Sequence, residues 1–259
     1  MKYILLLTLL VLSLNASEAI TALDTQDKNQ KQKVTLGFGP YVQTQPYKGT
    51  DPLLVPSPVI FFDNGLFYVR WTRAGMYFLG NKGKEFSWGL SLTAQPRVYG
   101  YKAEDSDYLE GMDTRETTFE GGLAFSATYN DTYIETMLLT DIFARYDSWL
   151  FKTEIGDEFA LGNFTFYPSI ILVYESDEFV NYYYGVQTHE ATQNRAEFTP
   201  GAGWQFGAQT YIEYPFTDRL SALVNLRIDR VPTSAMNSPL VDESFIYSGL
   251  VSLIYTFEY

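Results

Sequence analysis

The 259-residue chain has no cysteine, one histidine, and only 18 Lys and Arg residues against 31 Asp and Glu residues. The missing cysteines exclude a disulfide scaffold, thiol chemistry and cysteine-ligated metal sites. The net charge of −13 argues against nucleic acid as a partner, because a phosphate backbone requires a basic surface. These shortages remove many of the side chains on which enzymes and metalloproteins depend.

Long apolar runs are also missing, except at the start of the chain. An apolar run from Ile4 to Leu14 follows Lys2, and Ser17 and Ala19 form the small-x-small pattern of a signal-peptide cleavage site. The run is shorter than the roughly 20 residues of a membrane-spanning helix, although a retained anchor is the alternative. We expect residues 1–19 to be a signal peptide and the polar residues 20–32 to be a flexible periplasmic tail.

Aromatic residues, in contrast, are abundant, with 21 Tyr and 19 Phe. This apolar surface must be buried or must face an apolar medium. Apolar and polar residues alternate with period two over residues 219–230, 86–101, 116–129 and 202–216, which is typical of strands with one apolar face. Pro96 interrupts one of these segments and suggests a strand edge or a bulge there. Repeated segments of about ten residues with this pattern indicate a transmembrane β-barrel.

Short and long connections separate these strands. Turn-like sequences at 64–65, 81–84, 130–131 and 215–218 alternate with long polar stretches at 44–57, 102–114, 176–198 and 231–244. Outer-membrane barrels have short periplasmic turns, long outer loops and an even number of strands. The sequence therefore predicts an all-β fold, a closed antiparallel barrel of twelve strands over residues 33–259. Residues 66–81 fit two short strands or one bent strand, so ten strands are the alternative.

The last predicted strand ends the chain. Apolar residues alternate up to the final position, at Phe245, Tyr247, Val251, Leu253, Tyr255, Phe257 and Tyr259. This ending resembles the carboxy-terminal signal that the outer-membrane assembly machinery reads. A soluble edge strand is the alternative, but an uncovered apolar edge promotes aggregation in water. We expect the protein to lie in the lipid of a Gram-negative outer membrane, with both termini periplasmic.

Catalytic and metal-binding groups are sparse. His189 and the adjacent Glu190 lie in the long 176–198 connection, and histidine-based catalysis also needs a nucleophile and an orienting group. The acidic segment from Glu104 to Asp113 lacks the ordered ligand spacing of a calcium loop, so we interpret it as solvated. The sequence predicts no catalytic residue, no metal site and no cofactor.

Charged residues on the inner strand faces are the remaining candidates. The alternation predicts that eleven of them face the lumen: Arg70, Arg97, Glu116, Glu120, Glu135, Asp141, Arg145, Glu154, Glu213, Arg227 and Asp229. Charge is tolerated there because lipid contacts only the outer face. One hypothesis is a network of ion pairs that rigidifies the barrel. The other is an acidic pathway that favours cations.

Several short motifs, taken in order, resemble the MltA-interacting protein (MipA)/OmpV family of outer-membrane proteins. They are Gly37-Phe38-Gly39-Pro40, Pro46-Tyr47-Lys48-Gly49, Pro56 with Pro58, Tyr183-Tyr184-Gly185-Val186, Ser238-Pro239-Leu240-Val241 and Tyr255-Thr256-Phe257. The resemblance implies a non-enzymatic scaffold for a lytic transglycosylase and a murein synthase. Other family members look like adhesins or outer-membrane antigens. A small channel or a solute-binding barrel with an acidic lumen is the alternative that the residues leave open.

Overall fold

The computed structural model describes residues 33–97 and 100–258, and the expected signal peptide and polar tail lie outside these residues. The strands of the described residues form one antiparallel sheet. Their bounds are β1 (Lys33–Gln43), β2 (Leu53–Asp63), β3 (Phe67–Arg70), β4 (Arg73–Lys82), β5 (Phe86–Arg97), β6 (Thr118–Tyr129), β7 (Thr132–Asp141), β8 (Trp149–Gly156), β9 (Phe159–Leu161), β10 (Phe164–Glu175), β11 (Gly203–Pro215), β12 (Leu220–Arg230) and β13 (Phe245–Glu258).

The sheet closes into a barrel because β1 pairs with β13 and β10 pairs with β11. β8 and β9 lie end to end along β10, so the two segments are one interrupted strand of the wall. The described residues therefore form a closed barrel of twelve strands, which confirms the prediction of twelve. The ambiguous segment 66–81 contains two strands, separated by a turn in which Trp71 has a φ of 58°.

The period-two pattern places apolar side chains on the outer surface. In β13, Tyr247, Val251 and Leu253 are more than half exposed in the isolated chain, whereas Leu250 and Ile254 on the other face are buried. An exposed apolar band on every second residue is the surface that a transmembrane barrel presents to lipid. Among the described residues, none of the helices is long and apolar enough to cross a membrane.

The two ends of the barrel differ in their connections. One end carries the short turns at 64–66, 83–85, 130–131, 162–163 and 216–219, and the other carries the loops at 44–52, 142–148, 176–202 and 231–244 and the long β5–β6 loop. The short-turn end is periplasmic by the rule for outer-membrane barrels. The β3–β4 connection at the outer side is an exception, since it has only residues 71–72.

The β10–β11 loop contains a helix, α1 (Asp177–Tyr184), where the sequence predicts only a polar connection. The Ser176 hydroxyl caps its first turn by accepting a hydrogen bond from the Phe179 N–H at 3.4 Å. Phe179, Val180, Tyr183 and Tyr184 are buried on one face of α1. That apolar face docks the loop into the mouth of the barrel, because it has to be removed from water.

Candidate functional site: the lumen and the outer plug

An apolar cluster fills the outer end of the barrel, and we call this cluster the outer plug. It combines α1 with residues from four other loops, including Tyr47, Tyr101, Leu109, Met112, Tyr146, Val231 and Leu240. The rings of Tyr47 and Tyr101 lie 4.6 Å apart, and those of Tyr146 and Phe179 lie 5.5 Å apart. Burial raises the pKa of the Tyr101, Tyr146 and Tyr183 hydroxyls well above the usual range, so they stay neutral.

A buried ion pair joins the β5–β6 loop to the β10–β11 loop. One Arg115 guanidinium nitrogen lies 2.7 and 3.0 Å from the two carboxylate oxygens of Glu190. The side chains are only 4% and 0% exposed. Arg115 also donates to the Tyr182 carbonyl at 2.6 Å, and Glu190 accepts from the backbone N–H groups of Asp113 and Gln187. Each charge therefore has the hydrogen bonds that burial requires.

A second arginine fastens the same two loops. Arg195, which is buried, donates to the carbonyls of Tyr108 and Glu110 in the β5–β6 loop at 2.7 and 2.9 Å. It also donates to the Glu190 carbonyl at 2.9 Å. The outer plug is thus held by backbone and side-chain contacts as well as by apolar packing.

The lone histidine lies at the edge of this network. His189 Nε2 is 2.9 Å from an Asp113 carboxylate oxygen, and both side chains are more than half exposed. Asp113, His189 and Glu190 bring potential metal ligands within 4.8 Å of one another. Both Glu190 oxygens, however, accept hydrogen bonds from Arg115. The group therefore offers a metal ion only two exposed ligands, fewer than the several that a structural site needs.

Below the outer plug lies a cavity of about 1740 Å³ that extends to the periplasmic turns, where Asn64 and Asn130 line it. Among the described residues, its lining has seven cationic and seven anionic side chains: Lys33, Arg70, Arg73, Lys82, Arg97, Lys152 and Arg227, with Asp63, Asp131, Glu135, Glu154, Glu158, Glu213 and Asp229. This lining has no excess of carboxylates, in contrast to the acidic pathway considered from the sequence. Further buried carboxylates, Glu120, Asp141 and Glu175, lie toward the outer plug.

Glu135 on β7 is the centre of one charge network. Its carboxylate lies 2.8 Å from Arg70 and 2.5 Å from Arg73. Arg70 also donates to the Tyr77 hydroxyl at 2.7 Å and lies 3.6 Å from Asp63. This arrangement joins β2, β3, β4 and β7 across the lumen.

Glu154 on β8 is the centre of another network. It lies 3.3 Å from the Lys152 ammonium group. It also accepts hydrogen bonds from Tyr133, Ser169 and Gln209 at 3.0, 2.9 and 2.7 Å. A carboxylate with this many donors is already compensated, which favours a structural role.

Two further ion pairs lie toward the outer end of the lumen. Arg97 contacts Glu120 at 2.6 Å, and Arg97 also lies over the Phe179 ring of α1 at 4.8 Å. Arg227 makes a two-point contact with Asp229 at 2.6 and 2.8 Å, with both residues on the same face of β12. Arg97 thus connects the barrel wall to the outer plug.

The remaining predicted residues differ in position. Glu116 and Arg145 lie in outer loops, where they pair with each other and are about half exposed. The expectation that these two face the lumen is wrong because neither residue belongs to a strand. Asp141 ends β7 and accepts hydrogen bonds from Thr118 and from backbone N–H groups of the β7–β8 loop. Glu213 lines the cavity near the periplasmic end.

Several residues of the lumen and the plug are not among those predicted from the sequence. Lys152 has a signal that was available, since it lies two positions from Glu154 and so shares its strand face. Arg73 was missed because the β3–β4 boundary was unresolved. Arg115, Glu190 and Arg195 are distant in sequence and lie in loops, so no periodicity points to their contacts.

Comparisons with known proteins agree with this architecture. A profile of the family described as "MltA-interacting protein MipA" matches residues 36–257. The chain is 28% identical over 236 residues to the MltA-interacting protein of Escherichia coli, covering 88% of this chain and 90% of that protein. It is 22% identical over 239 residues to the putative outer membrane protein YiaT of Escherichia coli, covering 90% and 96%. It is 26% identical over 167 residues to the outer membrane protein OmpV of Vibrio cholerae, covering 64% of each chain.

Proposed function

Because the chain belongs to the MltA-interacting protein MipA family and forms an outer-membrane barrel, we propose that it is a non-enzymatic scaffold for murein-processing enzymes. Its partners in this proposal are a lytic transglycosylase and, held beside it, a murein synthase. The observation that carries the proposal is the asymmetry of the barrel. Apolar side chains fill the outer end, whereas the cavity and its charged lining reach the periplasmic end.

The periplasmic rim has the chemistry of a protein-binding surface. Lys84 and Glu85 are exposed in the β4–β5 turn, and Lys82, Asp131 and Glu158 line the nearby end of the cavity. Charges of both signs on a rim favour selective encounter with a partner of complementary charge. The murein layer and its enzymes lie on this side of the membrane.

The test is a quantitative pull-down from detergent extracts, with the full-length chain as bait. A double substitution in the periplasmic turn, Lys84→Ala with Glu85→Ala, should reduce recovery of the transglycosylase several-fold. The matched control is Lys102→Ala with Glu104→Ala, an exposed pair of the same composition in an outer loop. Equal recovery by both variants, or no transglycosylase with the unaltered chain, would contradict the scaffold proposal.

A second candidate, a periplasm-facing solute-binding barrel, is favoured by the size of the cavity. A volume of about 1740 Å³ exceeds that of typical small-molecule sites. A steady aqueous channel is less consistent with the outer plug, which interrupts the path with apolar side chains. Binding of solutes to the purified barrel, measured by calorimetry in detergent, separates this candidate from the scaffold.

A further inference from the structure

Across residues 33–97 and 100–258, the barrel wall is incomplete beside β2. β2 pairs with β1 through ten residues, from Leu53 to Phe62. On its other side it pairs with β3 through only Phe61, Phe62 and Asp63. Trp71 N–H adds one hydrogen bond to the Ile60 carbonyl at 2.8 Å. Within the described residues, the stretch from Leu53 to Val59 therefore has no strand partner on this side, which is about 23 Å of strand.

The opening has a frame of identifiable residues. Its lower edge is the β3–β4 turn, Trp71 and Thr72, which ends the short hairpin. Its far side is the end of β5, because β4 begins only at Arg73. Above it, the β1–β2 and β5–β6 loops meet where the Ser106 hydroxyl donates to the Lys48 carbonyl at 2.6 Å. Where the β3–β4 hairpin lies between them, β2 and β5 are three strand spacings apart, which is about 14 Å.

Prolines occupy both strand edges that border the opening. Ile60 directs its carbonyl toward the hairpin, and backbone groups alternate between the two edges of a strand, so Pro56 and Pro58 direct theirs to the same edge. Pro96 lies opposite Phe119, whose carbonyl accepts from Ile142 on the far side of β6. Pro96 therefore directs its backbone toward the opening. A proline has no N–H to donate, so these edges pair poorly with an added strand.

The opening communicates with the lumen. The lumen cavity is lined by the inward-facing Ser57 and Trp71. It is also lined by three prolines that face outward by the strand alternation: Pro56, Pro58 and Pro96. The Trp71 indole turns inward and donates to the Ser57 hydroxyl at 2.9 Å. Its ring meets that of Tyr211 on the opposite wall edge to face, with 6.5 Å between the ring centroids. The outer surface beside the opening is apolar, with Leu54 and Ile60 of β2 exposed.

We propose that this opening is a lateral port through which the alkyl chain of a single-chain amphiphile passes from the membrane into the lumen. The opening lies in a wall that faces lipid, and its three prolines leave fewer N–H donors on the rim than an ordinary strand edge has. The polar head of the amphiphile would lie in the lumen beside Gln43 and Gln95, which line the cavity. A second copy of the barrel docking by strand addition is disfavoured by the three prolines. The proposal is independent of the scaffold role.

Photo-crosslinking tests the port with the unaltered chain. The barrel is reconstituted in phosphatidylethanolamine–phosphatidylglycerol vesicles that contain a diazirine-bearing long-chain fatty acid, and adducts are mapped by mass spectrometry. Adducts are expected on the inward-facing Ser57 and Trp71 as well as on the lipid face. The control positions are Tyr133 and Ser252, which face inward where the wall is complete. Adducts confined to outward-facing residues, or equal labelling of all four inward positions, would overturn the proposal.

Quenching of tryptophan fluorescence by a brominated long-chain fatty acid gives an independent readout. The chain has four tryptophans, so a chain that keeps only Trp71 is obtained by changing Trp88, Trp149 and Trp204 to Phe. Its matched control also carries Trp71→Phe and Tyr133→Trp, which moves the indole to the periplasmic end of the lumen. Quenching should be several-fold stronger for Trp71. Equal quenching of the two variants would refute the port.

Discussion

The carboxylate of Glu190 receives two contacts from the Arg115 guanidinium, at 2.7 and 3.0 Å, across a sequence separation of 75 residues. Both side chains are buried in the outer plug. The pair fixes two loops that the sequence treats as independent polar connections, and it closes the end of the barrel opposite the cavity.

Replacing Glu190 with Gln should loosen the outer plug. The change leaves the Arg115 charge buried without its partner, which costs roughly 3–5 kcal/mol for pairs of this kind. Limited proteolysis of the folded protein should then cut the β5–β6 and β10–β11 loops much faster. The control is Glu104→Gln, whose exposed contact with Lys102 is worth at most about 1 kcal/mol. Equal cleavage of the two variants would show that the ion pair does not hold the plug.

The outer plug should also prevent conduction. In planar bilayers we expect the unaltered barrel to give no steady current, because apolar side chains fill its outer end. A variant in which a short Gly-Ser linker replaces residues 177–200 removes α1 and should conduct. Gel-mobility shifts on heating show whether that variant still forms a barrel. A steady conductance of the unaltered chain would contradict this prediction and favour the channel hypothesis.

The lumen charges should act mainly on stability. Glu135→Gln leaves Arg70 and Arg73 without their shared carboxylate. We expect a loss of roughly 2–3 kcal/mol in the free energy of unfolding, less than for a fully buried pair, because Arg70 is partly exposed. Glu213→Gln is the control, since among the described residues Glu213 forms no ion pair. Urea titration in vesicles, followed by tryptophan fluorescence, measures both; equal losses would favour a pathway of interchangeable charges.

The lipid face should tolerate charge only near its edges. Leu253→Arg on β13 places a cation in the apolar band and should destabilise the barrel by about 2–4 kcal/mol, the cost near the bilayer midplane. Phe257→Arg on the same face, near the periplasmic end, should cost at most about 1 kcal/mol. Folding equilibria in phospholipid vesicles compare the two. Equal costs would mean that this face of β13 is not buried in lipid.

Local sequence patterns predict much of the fold, because side chains of a barrel strand alternate with a period of two. The alternation in β13 predicts which residues face outward, and the exposed Tyr247, Val251 and Leu253 agree with it. The same rule failed for Glu116 and Arg145, because the residues that precede β6 and follow β7 leave the strand and lose its alternation. Pro96 interrupts the strand pattern in the sequence. In the structure its backbone faces away from β6, so its missing N–H does not cost a hydrogen bond between β5 and β6.

The sequence by itself determined the membrane-facing side of the strands, the antiparallel barrel and the family, because each depends on nearest neighbours or on short motifs in order. Only the tertiary structure decided which charges meet, since Glu135 is more than 60 residues from Arg70 and Arg73. It also decided that α1 and the loops fill the outer end. The opening beside β2 is also decided only by the tertiary structure. It depends on how far the β3–β4 hairpin extends, which the Trp71 turn and its inward packing set.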